Sequence, residues 1–140
     1  MQCPIPAPLL AAFHSAHYVV FDPPTRFTLR IGHYSPALAR LMSRHNAGTV
    51  AILTAYNPGA KPASAQANIH AQQTLLDAIH KLDLFHCHGE NAASDGTGHI
   101  EPTVVVLGIH RDQALALAQQ FRQLAFVFSD ANAIPELIWC

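Results

Sequence analysis

Two asparagines, a glutamate and a glutamine (Asn57, Asn68, Glu101 and Gln123) stand at the ends of apolar segments rather than inside them. Side-chain amides both donate and accept hydrogen bonds, and a carboxylate can hold an amine or take a proton, so the set could converge on one polar ligand. In that reading Asn57 and Asn68 orient the ligand, Tyr56 forms a wall, and Glu101 supplies charge or acts as a general base. The alternative turns the same chemistry inward. Asn57-Pro58 is a turn signal, Asn68 could tie that turn down through backbone hydrogen bonds, and Glu101 could pair with Arg26 or Arg30. The two roles are compatible. Arg26 and Arg30 lie on the polar face of one strand, where one of them could clamp an anionic group, the alternative being a solvated face.

A second constellation is His86, Cys87, His88, Glu90 and His99. In a strand His86 and His88 share a face and Cys87 points to the other, so His86, His88 and either His99 or Glu90 are weak candidates for a three-ligand zinc site. His88-Gly89-Glu90 has the His-x-Glu of zinc deaminases but lacks their downstream Pro-Cys-x-x-Cys, and no His-Glu-x-x-His is present. Exposed histidines flanking a loop are the simpler expectation, and no metal site is assigned. Cys87 beside His86 is not a catalytic dyad by adjacency, and no Gly-x-Ser-x-Gly, P-loop or Gly-x-Gly-x-x-Gly occurs. Gly96-Thr97-Gly98 lacks a strand-to-helix context, so no cofactor is identified.

The elements that must position these residues follow from periodicity and punctuation. Pro4 to Ala16 carries Leu9, Leu10 and Phe13 at helical spacing, and Tyr18 to Phe21 is a strand. Asp22-Pro23-Pro24-Thr25 turns the chain, and Arg26 to Ile31 alternates as a half-buried strand, so the pair forms an antiparallel hairpin. Ser35 caps a helix with Pro36 at its first position, Leu38, Leu41 and Met42 form its buried stripe, and Asn46-Ala47-Gly48 ends it. Thr49 to Ala55 is a continuous apolar run, expected of a central strand covered on both faces. After a loop from Asn57 to Ser64, the longest helix runs to Leu82. Asn68, Gln72, Leu75, Ile79 and Leu82 share its inward stripe. A short strand is expected over Leu84 to His88, a polar loop from Gly89 to His99, and a strand from Thr103 to Ile109 preceded by Glu101-Pro102. A helix capped by Asp112 runs through Arg122, with Ala114, Leu117, Ala118 and Phe121 inward. A strand at Leu124 to Phe128 and an extended edge segment at Ile134 to Trp139 end the chain. The paired strands interrupted by helices argue one α+β domain over residues 1–140, a single-layer mixed or mostly antiparallel sheet with three to four packed helices.

The chain has 140 residues, 50% apolar and only 12% charged, with a net charge of −1. That size supports a core without disulfides or metal. The low charge means a neutral-polar surface or a covered one, hence the expectation of a homodimer. The eight basic residues are scattered, which argues against nucleic-acid binding. No apolar run approaches the ~18 residues of a membrane span, and Met1-Gln2-Cys3-Pro4 lacks the features of a secretory leader. Cys3, Cys87 and Cys140 have no framework spacing and read as free thiols in a reducing cytoplasm.

With these segments in order, the chain resembles a small bacterial family known as a domain of unknown function, of the DUF3293 type. The resemblance rests on Tyr56-Asn57-Pro58 after a strand, Asn68 opening the next helix, Glu101-Pro102 after a Gly-rich loop, and Phe121-Arg122-Gln123-Leu124-Ala125 near the end. It spans about Tyr18 to Leu137 and implies a bacterial cytosolic setting and a site at the patterned residues. Phe85-His86-Cys87-His88 is not part of the pattern. The leading expectation is a domain that binds a polar small molecule or peptide segment at Asn57, Asn68 and Glu101. The alternatives are an enzyme using Glu101 as base, with or without a metal, and a homo-oligomeric interaction module suggested by the low charge and the Ile138-Trp139-Cys140 end.

Overall fold

A computed structural model describes residues 6–93 and 99–140; the expectations placed on Met1 to Pro4 and on Gly96-Thr97-Gly98 lie outside them. The element order is α1 (Ala7–Ser15), β1 (His17–Asp22), β2 (Thr25–Leu29), α2 (Pro36–Arg44), β3 (Val50–Leu53), α3 (Ala65–His80), β4 (His86–Ala92), β5 (Ile100–Leu107), α4 (Arg111–Gln120), β6 (Ala125–Ser129) and β7 (Glu136–Trp139), with one 3-10 turn at Pro58–Ala60. All seven strands join one sheet in the order β2-β1-β4-β5-β3-β6-β7, and every pairing is antiparallel. The fold is therefore α+β.

Strand β3 explains its own composition. It sits between β5 and β6, all four of its residues are buried, and its side chains alternate between two cores. A continuous apolar run thus signals cover on both faces even in an antiparallel sheet. On one face Ile52, Val105, Leu107 and Val127 pack under Leu38, Leu41 and Met42 of α2. On the other Leu53, Val104, Val106, Phe126 and Phe128 pack under Leu75 and Ile79 of α3 and Ala114 and Ala118 of α4.

The caps act as the sequence implies for α2 and α3. Ser35 accepts from the Leu38 amide and Ser64 from the Ala67 amide, each at 3.1 Å, satisfying donors that the first helical turn leaves free. Asn46 takes a left-handed φ of 50° just past α2, a conformation Asn tolerates. The hairpin β1-β2 also forms, with Asp22 opposite Thr25 and Pro23-Pro24 between them, and Asp22 pairs with Arg44 of α2. Strand β7, preceded by Pro135, lies at the sheet edge as its proline implies.

Three expectations are corrected. Residues 89–92 are not loop: β4 continues through Gly89, Glu90 and Asn91 to Ala92, bonded on one side to β1 and on the other to β5. Gly89 belongs there because a Cβ would stand 2.5 Å from the Val19 carbonyl oxygen and 2.7 Å from Thr103 Oγ1. The strand β5 starts at Ile100, so Glu101 and Pro102 lie inside it rather than before it. Proline is tolerated because a residue's N and C=O leave an antiparallel strand on the same side. The Pro102 carbonyl points past the end of β3, where it accepts from Thr54 Oγ1 at 2.8 Å, so the missing N–H falls outside the ladder. Finally, α4 is capped by His110, whose amide donates to Gln113 Oε1 at 3.4 Å; Asp112 sits within the first turn, where its charge suits the helix dipole.

Candidate functional site

Helix geometry brings the first constellation together. The stripe on α3 turns Asn68 and Gln72 inward against the end of β3, where both are buried. The Gln72 side chain stands in for a missing strand: its Oε1 accepts from the Ala55 amide at 2.8 Å and its Nε2 donates to the Pro102 carbonyl at 3.3 Å. Asn57 has a left-handed φ of 47°. Its amide donates to Asn68 Oδ1 at 2.8 Å, Asn68 Nδ2 donates back to Asn57 Oδ1 at 2.9 Å, and the Ala63 amide donates to the same oxygen at 3.1 Å. Asn57 Nδ2 then donates to Glu101 Oε1 at 2.8 Å. Gln123 braces the same turn from the far side, donating through Nε2 to the Tyr56 carbonyl at 3.1 Å. The expected structural network therefore exists, and Asn68 spends its polar atoms on Asn57.

The same residues border a cavity. Helix α1 has no buried residue and touches the sheet through Phe13, whose ring meets that of Trp139 of β7 edge-on at 5.5 Å. Between Leu9, Ala12 and Phe13 of α1, with Ala16 just past its end, and the Tyr56, Asn57, Asn68 and Glu101 side lies a chamber of about 550 Å³. Phe13, Tyr56, Asn57, Ala60, Asn91 and Glu101 also line an inner chamber of about 70 Å³, whose floor holds Tyr18, Thr54, Thr103 and Gln123. The outer volume suits a small ligand.

Cross-strand register builds the inner floor. Tyr18 pairs opposite Asn91 and Asn91 opposite Glu101, so β1, β4 and β5 present one polar row on a single face. The next row along the strands is Val20, Gly89 and Thr103. Tyr18 donates to the Phe13 carbonyl at 2.7 Å, tying α1 to the sheet. Burial first, and then the negative charge of Glu101, push the Tyr18 hydroxyl well above the usual phenol range. Glu101 also lies 3.8 Å from His99 Nε2. Thr103 is only 3% exposed, and its hydroxyl has no hydrogen-bond partner among the described residues. An orphaned buried hydroxyl costs stability, so Thr103→Val, which keeps the shape, is expected to raise the stability of the ligand-free protein by about 1 kcal/mol. An upward shift of the urea midpoint with unchanged slope would show it; a fall would mean that the hydroxyl already has a partner.

Arg26 does not join the site. It pairs opposite Phe21 on the exposed edge strand β2, at the end of β1 away from Tyr18, and lines neither chamber. The metal candidates are also separated. His86 and His88 stand opposite Val106 and Val104, whose side chains belong to the α3/α4 face, and His86 packs on the His80 ring of α3 at 4.7 Å. His99 lines the chamber beside Glu101, on the opposite face. Among the described residues no group of three or more His, Cys, Asp or Glu could hold a metal ion.

Cys87 points away from both histidines, as strand alternation requires, into the α2 face. Burial, with the Asp22 charge second, raises its thiol from 9.0 to about 11. At pH 8 that is roughly 100-fold less thiolate, so Cys87 should react with iodoacetamide far more slowly in the folded protein than in urea. Both Cys87 and Tyr18 hold their protons more tightly when folded. Between the unfolded and folded pKa values the native state binds more protons, so the Cys87 contribution is present below pH 9 and lost as pH rises to about 11, while the Tyr18 contribution begins to be lost only above pH 10. Thermal melts at pH 8 and pH 10.5 would show the decline.

Tyr18, Asn91 and Thr103 escaped sequence reasoning. The available signal was the period of two continuing through Cys87, Gly89 and Asn91, and through Glu101, Thr103 and Val105, on strands that the polar residues and proline make look shorter.

Among the described residues, no helix is long and apolar enough to cross a membrane. Comparison with curated proteins and with solved structures finds no match. A sequence model of one family matches residues 53–126, a shorter span than the pattern from Tyr18 to Leu137, but one that holds Tyr56, Asn57, Asn68, Glu101 and Gln123. With just over half of its length matched, the chain belongs to the family described as protein of unknown function (DUF3293).

Proposed function

We propose that the protein binds a polar small molecule in the cavity between α1 and the ends of β3, β4 and β5. The observation that carries this reading is Thr103. Native interiors rarely leave a buried hydroxyl without a partner, and this one lines a chamber that opens into a larger, ligand-sized one. The polar groups have divided roles. Asn68 and Gln72 hold the Tyr56-Asn57 turn, Asn57 fixes the Glu101 carboxylate, and Glu101, Asn91 and Thr103 are left to meet the ligand. Phe13 and Tyr56 supply flat apolar walls.

The test is a thermal-shift screen of polar metabolite-sized compounds against the wild type and Ala12→Trp. Ala12 is exposed on α1 yet lines the outer chamber, so an indole there fills the cavity without entering the core. Compounds that stabilise the wild type should lose their effect on Ala12→Trp, whose own melting temperature stays within a few degrees of it. Equal stabilisation of both would place binding elsewhere.

A further inference from the structure

We infer that the inner chamber receives a primary ammonium group, so that the ligands of this cavity are amines with an apolar body. The inference rests on the binding role proposed above and adds the chemical class.

Among the described residues, Glu101 is the only formally charged side chain lining the inner chamber, and no lysine or arginine lines either chamber. A carboxylate or phosphate ligand would enter beside that negative charge, whose neighbours are the Asn57 amide at 2.8 Å and the His99 imidazole at 3.8 Å. An ammonium would neutralise that charge, which is what makes burial of either ion affordable.

Donors and acceptors match as well. An ammonium has three N–H donors and no acceptor. The polar row supplies matching oxygens: the Glu101 carboxylate, the Asn91 amide and the Tyr18 hydroxyl, which keeps its oxygen available because its hydrogen is given to the Phe13 carbonyl. Thr103 adds the orphaned hydroxyl oxygen, one step along the sheet on the same face. A neutral alcohol would satisfy part of this set and leave the charge unmet. A quaternary ammonium would carry the charge but offer no N–H to any of these oxygens.

Size and walls complete the fit. The inner chamber, about 70 Å³, admits a head group rather than a whole ligand. The outer chamber, with Leu9, Ala12, Phe13 and Ile100 along it, would hold the apolar remainder.

The experiment uses four probes of one chain length, n-hexylamine, hexyltrimethylammonium, hexan-1-ol and hexanoate, titrated calorimetrically into the intact protein near pH 7. Hexylamine is expected to bind on the order of tenfold or more tightly than each of the others. Glu101→Gln keeps an oxygen for the Asn57 amide and so keeps the fold; it should reduce hexylamine to the level of hexan-1-ol. Thr103→Val should weaken hexylamine several-fold and leave the alcohol nearly unchanged. Tightest binding by hexanoate or hexan-1-ol, or hexylamine affinity indifferent to Glu101→Gln, overturns the amine assignment while leaving a binding cavity. If no probe binds, and the screen against wild type and Ala12→Trp also finds nothing, the binding role falls with it.

Discussion

Substituting Gly89 by valine is expected to lower stability by about 3 kcal/mol or more and to abolish ligand binding. The β-carbon alone would stand 2.5 Å from the Val19 carbonyl oxygen and 2.7 Å from Thr103 Oγ1. The first of these is backbone of the neighbouring strand, which cannot rotate away. Relief requires β1 and β4 to separate, and strand displacement of this kind costs more than the ~1–3 kcal/mol of ordinary overpacking. Binding suffers because Gly89 adjoins the Tyr18-Asn91-Glu101 row, whose alignment depends on the β1-β4 register. Urea denaturation gives the stability change. Gly89→Ala, which adds only the clashing methyl, should fall between wild type and valine. A midpoint unchanged in both variants would mean that β4 is not bonded between β1 and β5 as described.

The second large effect is at Asn57. Its side chain serves the Ala63 amide, the Asn68 amide and the Glu101 carboxylate at once, and its backbone is left-handed. Asn57→Ala removes three hydrogen bonds and leaves at a left-handed φ a residue without the short polar side chain that lets Asn tolerate it, at a cost of about 1 kcal/mol. The bonds are partly shielded from water, so the total should be about 2–4 kcal/mol. Asn57→Gly loses the same bonds but not the backbone comfort, and should recover about 1 kcal/mol of that loss. Equal loss in the two variants would show that the turn does not hold its left-handed geometry. Asn68→Ala is expected to cost less, about 1–3 kcal/mol, because it leaves the Asn57-Glu101 bond in place. The bonds that Asn68 makes to Asn57 give it a bracing role, so its removal is felt in stability as well as in binding.

The parts of this account that were legible in the sequence are those fixed by local geometry. The order of helices and strands followed from periodicity. The inward stripe of Asn68, Gln72, Leu75 and Ile79 followed from the 3.6-residue turn. The proximity of Asn57 to Asn68 followed because a short loop and one helix turn separate them. What failed depends on pairing between distant segments. Nothing local in Gly89-Glu90-Asn91 says that β1, some seventy residues earlier, supplies its hydrogen bonds, so the stretch reads as loop. Strand order is equally non-local. Arg26 was a fair site candidate on side-chain chemistry alone, but β2 lies at the sheet edge, and Arg26 sits near the end of it remote from the cavity. His86, His88 and His99 were neighbours in sequence until the sheet placed them on opposite faces. Thr103 gave no sequence signal beyond its alternation with Glu101 and Val105, since an unpartnered hydroxyl is a property of the packed interior.

The central claim is that the cavity beneath α1 holds a small molecule. The most direct measurement is native mass spectrometry of freshly purified wild-type protein and Ala12→Trp, each mixed with the small-molecule fraction of a cell extract, before and after EDTA. The wild type should carry a small-molecule adduct that resists EDTA and is missing from Ala12→Trp. A bare wild-type mass, an adduct retained equally by both proteins, or a mass excess removed by the chelator would contradict it.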